Sequence, residues 1–142
     1  MESPMRILVP TLAVATLALT GCAMSPTDSA RAQDRVAADR AALGQKLAGL
    51  QPAGTTDCLD HFQTSPASLS AYGSTLVYRV SPRLSYVNDT TGGCEGVARG
   101  DILVTTSNEG RLCRGDIGHT VMPGSRIPTG SCALGSFTRY SR

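Results

Sequence analysis

Three patterns of apolar and polar positions follow one another along the chain, and each predicts a different element. From Ile7 to Leu19 (ILVPTLAVATLAL) the chain is apolar apart from threonines and Pro10. From Ser29 to Leu50, Ala32, Val36, Leu43, Leu47 and Leu50 recur at helical spacing among Arg, Gln and Asp, which predicts an amphipathic helix over 29–51. Thr27 or Ser29 is placed to cap it, Asp28 suits the positive end of its dipole, and Gln51-Pro52-Ala53-Gly54 is expected to end it. Such a helix can be a spacer whose stripe packs on its own domain. It can also be a coiled-coil or partner-binding helix, although the stripe lacks a strong second seam position.

From Asp57 onward the period changes to two. Leu76, Tyr78 and Val80 alternate within Thr75–Val80, and Leu84 and Tyr86 alternate within Arg83–Asn88, after a turn at Ser81-Pro82-Arg83. Asp101–Thr106 (DILVTT) is an apolar, β-branched strand, and Ser107–Gly110 reads as a hairpin turn into Arg111–Arg114. Ile117–Val121 continues that strand past Gly115 and Gly118, and Cys132–Tyr140 closes the chain with Gly135 as a candidate bulge. Ser65–Ser74, Asp89–Gly93 and Met122–Gly130 read as loops. With Cys58–Gln63 at the front, this predicts a mainly β domain over 57–142: a small antiparallel barrel or sandwich of about six strands, preceded by the N-terminal helix.

The apolar run near the N-terminus is too short to span a bilayer. As a helix it covers about 20 Å, against a hydrocarbon core of roughly 30 Å, so it reads as the h-region of an export signal over 1–21. Leu19-Thr20-Gly21-Cys22 follows at once and resembles the lipobox of bacterial lipoproteins. Small residues before the cysteine admit the peptide to a signal peptidase, and the Cys22 thiol is the nucleophile that takes a diacylglyceryl group. Cleavage before Cys22 frees an amine that can be acylated too, and each buried CH₂ of such chains adds about 0.8 kcal/mol of membrane affinity. On this reading residues 22–28 are a lipidated tether. The alternative is an ordinary secretory signal with a chance cysteine. Ala23, in place of an aspartate, points to the periplasmic side of the outer membrane and not to the inner membrane.

Cysteine usage fits an exported domain. The 142 residues hold five Cys, and with Cys22 lipidated an even set remains: Cys58, Cys94, Cys113 and Cys132. Two disulfides are expected from such a set, and they would reinforce a core with few aromatics: Phe62, Phe137 and four Tyr, without tryptophan. An up-and-down meander puts Cys58 and Cys113 at one end and Cys94 and Cys132 at the other, which pairs Cys58 with Cys113 and Cys94 with Cys132. No C-x-x-C pair occurs, and His61 and His119 lack ligand spacing, so neither a metal nor another cofactor is expected.

The segments CLDHF (58–62), GGCEGV (92–97), GRLCRGD (110–116) and SCALGSF (131–137) occur in that order. Together they resemble an uncharacterised family of small proteobacterial lipoproteins with a four-cysteine pattern. That resemblance implies a disulfide-bearing fold unit and no activity.

Charge and motifs exclude more than they assign. A balance of 13 Lys+Arg against 11 Asp+Glu, with 4% aromatics, argues against a nucleic-acid partner. Almost all the basic residues are arginine, Lys46 being the exception, which fits coding bias better than a phosphate-binding surface. Phosphate loops, dinucleotide fingerprints and a G-x-S-x-G elbow are missing. His61 beside Asp57 or Asp60, and His119 beside Asp116, are local pairs only. Arg-Gly-Asp occurs at Arg99–Asp101 and at Arg114–Asp116, and both read as turn chemistry, with Asp116 as a structural anchor. No catalytic residue is expected. The sequence thus points to a non-enzymatic, lipid-anchored envelope module with an unknown envelope protein as partner. The alternative is a small inhibitor of a hydrolase such as lysozyme, with Arg126 in the Met122–Gly130 loop as its key.

Overall fold

The computed structural model describes residues 25–60, 63, 68–107 and 110–142. The segment expected to be an export signal, Cys22, His61 and Phe62 lie outside these residues. Among the described residues, no helix is long and apolar enough to cross a membrane.

Helix α1 spans Pro26–Lys46, so it takes in the end of the expected tether. Neither Thr27 nor Ser29 caps it. Ser25 does, its Oγ accepting from Asp28 N at 3.2 Å, with Pro26 in the first turn. Proline suits that place because its missing N–H would be unpaired there anyway. The first half of α1 is exposed almost all round, whereas Asp39, Ala42, Leu43, Lys46 and Leu47 are half-buried, and the helix touches the domain at strand β3 (Leu69–Tyr72).

Ten strands are present among the described residues, more than the six expected. The others are β1 (Gln51–Thr56), β2 (Cys58–Leu59), β4 (Thr75–Ser81), β5 (Leu84–Asp89), β6 (Ile102–Thr105), β7 (Leu112–Cys113), β8 (Ile117–Val121), β9 (Pro128–Ala133) and β10 (Phe137–Ser141). They form three antiparallel sheets, ordered β1-β10-β5-β4-β3, β2-β7 and β6-β8-β9. These sheets are open, so the barrel and the simple meander are both corrected. Only β3-β4-β5 is a meander.

Several departures from the sequence reading have local causes. Strand β1 runs straight through Pro52 and Gly54, the residues expected to end the helix. It is an edge strand, where a missing N–H costs no ladder bond, and its register slips between Pro52 and Thr55 around Gly54 at φ 111°. Strand β3, read as loop, is short and carries Ser70 and Ala71 where larger residues would have signalled it. Val80 turns out to solvent because the β4–β5 register slips between Arg79 and Ser81. Of the turn expected at Ser107–Gly110, Asn108 and Glu109 lie outside the described residues; the strands on either side are not hairpin partners, since β6 pairs with β8 and β7 pairs with β2. Gly135 is not a bulge within one strand. The chain leaves β9, crosses Leu134–Ser136 and enters a different sheet as β10. Buried Asn88 fixes that crossing: its Nδ2 donates to Gly135 O at 2.7 Å, and Gly135 N donates to its Oδ1 at 3.0 Å.

The core lies on one face of the five-stranded sheet. Leu76, Tyr78, Tyr86 and Phe137 pack there with Ala71, and Leu59, Leu112 and Leu134 close over them. Tyr78 and Phe137 meet edge to face, with ring centroids 5.9 Å apart. Leu103 and Val97 lean on the same cluster, so β6 and the 3₁₀ turn Glu95–Arg99 are seated by it.

Candidate functional site

The three-stranded sheet β6-β8-β9 distributes its side chains in an unusual way. Its register sets Ile102 opposite Val121, Val104 opposite His119, His119 opposite Ser131 and Ile117 opposite Ala133. Directly opposed residues share a face, so these residues form one surface with His119 in its middle. That surface faces solvent: Ile102 and Val104 are 48% exposed and Ile117 is 43% exposed. The β8–β9 hairpin extends the exposed apolar area with Met122 and Ile127.

The inner face holds small residues instead. Leu103 opposes Thr120, which opposes Gly130, and Thr105 opposes Gly118, which opposes Cys132. Close backbone approach explains the glycines. A Cβ on Gly130 would lie 1.9 Å from Gly93 O, and one on Gly93 would lie 2.2 Å from Ser131 O, far inside van der Waals contact. Beside this contact, buried Cys94 is bonded to Cys132. Thr129 is the extra residue where the β8–β9 register slips, and its hydroxyl donates to Asp101 Oδ2 at 2.6 Å. It also lies 2.9 Å from the hydroxyl of fully buried Thr120. With its one proton committed to the carboxylate, Thr129 accepts from Thr120, so both hydroxyls are hydrogen-bonded.

Cys58 is bonded to Cys113 across the β2–β7 pair, where the two residues stand directly opposite. The bridged pairs are those that the meander argument selected, yet they arise from local pairing of β2 with β7 and from the 3₁₀ turn meeting β9. Asp116 accepts from Cys113 N at 2.7 Å and holds the turn after β7. The Arg99–Asp101 and Arg114–Asp116 tripeptides are likewise bound into turns: Asp101 N donates to Gly96 O, and Gly115 N donates to Leu134 O. No ion pair joins His119 to Asp116 among the described residues; Asp57 accepts from Ser136 Oγ and Asp60 pairs with Arg111 Nε at 3.1 Å. Arg126 stands exposed in the β8–β9 hairpin at φ 55°, the one non-glycine with positive φ among the described residues. Its N–H donates to Met122 O at 3.0 Å.

No family, no curated protein and no solved structure matches this chain.

The outward set Ile102, Val104 and Ile117 was not singled out by the sequence reading. In DILVTT every central residue is apolar, so alternation gives no sign of which side is outside.

Proposed function

We propose that the protein is a lipid-anchored envelope component, held through Cys22 on the periplasmic face of the outer membrane, whose β domain is a sandwich acting as a non-enzymatic binding module. The observation that carries the binding role is the outward display of Ile102, Val104 and Ile117 on a three-stranded sheet. Each of these side chains is about half exposed, so it forgoes about half of the roughly 1.5–3 kcal/mol that full burial contributes, and contiguous exposed apolar surface marks interaction sites. Strand β6 is also an edge strand, and Asp101–Thr106 bears no lysine or proline to discourage pairing. The partner is an envelope protein that covers this face with apolar side chains and adds a strand beside β6. Anchorage is supported by the Leu19–Cys22 motif after the short apolar run.

The experiment places a photo-crosslinking amino acid at Val104 in the native cell. A discrete protein adduct is expected, and Val104→Glu should abolish co-purification of the same protein. Absence of any protein adduct at Val104 refutes this reading. For the anchor, the intact mass of the processed protein should show an acylated N-terminal Cys22, and Cys22→Ser should leave unprocessed or mislocalised precursor.

A second reading, inhibition of a hydrolase such as lysozyme, is favoured by one observation: the β8–β9 hairpin presents Arg126 in a fixed left-handed conformation. A cation so held could enter an acidic cleft. Lysozyme inhibition that is lost in Arg126→Glu would replace the first reading with this one.

A further inference from the structure

The core face of the five-stranded sheet ends in a charge. Directly opposed residues share a face, so Leu69, Tyr78, Tyr86 and Arg139 form one row across β3, β4, β5 and β10. Phe137, two residues before Arg139, fills the core on that same face. Opposite Arg139 the register of β1 slips, between Pro52 and Thr55. A cleft of about 340 Å³ opens there, at the lower end of the range for small-molecule sites. Gly54, Leu59, Asp60, Tyr86, Arg111 and Arg139 belong to its walls.

The polar groups of this cleft are engaged unequally. Asp60 Oδ1 pairs with Arg111 Nε at 3.1 Å. Gln63 Oε1 accepts from Asp60 N at 3.1 Å, which turns its Nε2 to donate to the Tyr86 hydroxyl at 3.1 Å. Because that oxygen accepts, its own proton is left to donate, and it has no acceptor among the described residues. Arg139 is exposed, and its guanidinium makes neither an ion pair nor a hydrogen bond among the described residues. One carboxylate and two guanidiniums line the cleft, so one positive charge is left over.

We propose that this cleft binds a small monocarboxylate, with Arg139 as its counter-ion and the Tyr86 O–H as a second donor. A guanidinium and a hydroxyl on directly opposed residues suit the two oxygens of one planar anion, and hydrogen bonds to a charged group are the stronger kind. A single negative charge is matched, whereas a phosphate dianion would bring a second one close to Asp60. No residue of the outer face of β6-β8-β9 lines this cleft, so the site does not depend on the binding role proposed above.

The full chain in neutral detergent micelles is titrated with para-fluorobenzoate and followed by fluorine NMR. Saturable binding is expected, and para-fluorobenzamide, of the same shape without the charge, should not bind. Arg139→Gln should weaken binding about ten- to hundredfold and Tyr86→Phe about three- to tenfold, the effects of one charged and one neutral hydrogen bond. Arg139→Lys, which keeps the charge and loses the fork, should fall between the parent and Arg139→Gln. Arg83→Gln removes an exposed arginine of the β4–β5 turn and should change nothing. Absence of saturable binding to the parent overturns the inference, as do equal binding of the amide and unchanged affinity in Arg139→Gln or Tyr86→Phe. A comparable loss in Arg83→Gln would reduce the effect to general charge and overturn it too. Inorganic phosphate that displaces para-fluorobenzoate at equal concentration would overturn the choice of a carboxylate.

Discussion

The five-stranded and three-stranded sheets are built on opposite plans. In the first, large side chains point inward: Leu76, Tyr78 and Phe137 are at most 2% exposed, and cohesion comes from apolar burial. In the second, most of the large side chains point outward, and the inner face is glycine, threonine and half-cystine with Leu103 alone reaching the core. What holds it there is the Cys94–Cys132 bond, the backbone contact of Gly93 with Gly130 and the Asp101–Thr129–Thr120 hydroxyl chain. A covalent clamp and satisfied polar groups free the outer surface from any duty in folding. That freedom lets the sheet show isoleucine and valine to solvent without weakening the core.

This contrast can be broken by measurement. The largest effect is expected at Phe137→Ala, which opens a cavity under Tyr78 and should cost about 3–5 kcal/mol in denaturant unfolding. Next comes the clamp: replacing Cys94 and Cys132 together by serine should cost about 2–4 kcal/mol and raise hydrogen exchange in β8 and β9 before β4 and β5. Uniform loss of protection across both sheets would show that the three-stranded sheet has no separate means of support. Tyr78 gives a pH signature. Because burial raises its pKa above the ordinary 10.0, the folded state resists ionisation that the unfolded chain accepts. Stability should be intact below pH 10 and fall above it, by up to about 1.4 kcal/mol per pH unit. Tyr78→Phe should remove that contribution, and an unchanged alkaline slope would contradict it. The smallest effects belong to the outer surface. His119→Ala and Arg126→Ala should each change stability by about 0.5 kcal/mol or less. A loss of several kcal/mol at His119 would mean that the outer face supports the fold after all.

The five-stranded sheet was the more legible in sequence. Leu76, Tyr78 and Tyr86 recur at a period of two and mark the core face of β4 and β5, although Val77 and Val87 on the opposite face are buried as well. The three-stranded sheet hides its inside, since Gly118, Thr120 and Gly130 carry no hydrophobic signal. Its pairing is also non-local: β6 skips β7 to meet β8, and no local pattern encodes that choice. Edge strand β1 was masked by Pro52 and Gly54, residues that break central strands and not edges. An even set of four cysteines was readable, and they form two bridges. The outer apolar face and the Arg139 cleft were not readable, because each is assembled from strands distant in sequence.

The pairing of β1 with β10 has a mechanical consequence. Gln51, where the chain enters from α1, lies opposite Ser141, while Thr56 lies opposite Phe137, the residue that leads back through Leu134–Ser136 to the three-stranded sheet. A pull entering through α1 and resisted at that sheet draws Gln51 and Phe137 in opposite directions along the strand axis. The ladder between them is then loaded in shear, and its hydrogen bonds share the force instead of opening one after another. Strand β1 is exposed and short, yet its position makes it a load-sharing joint.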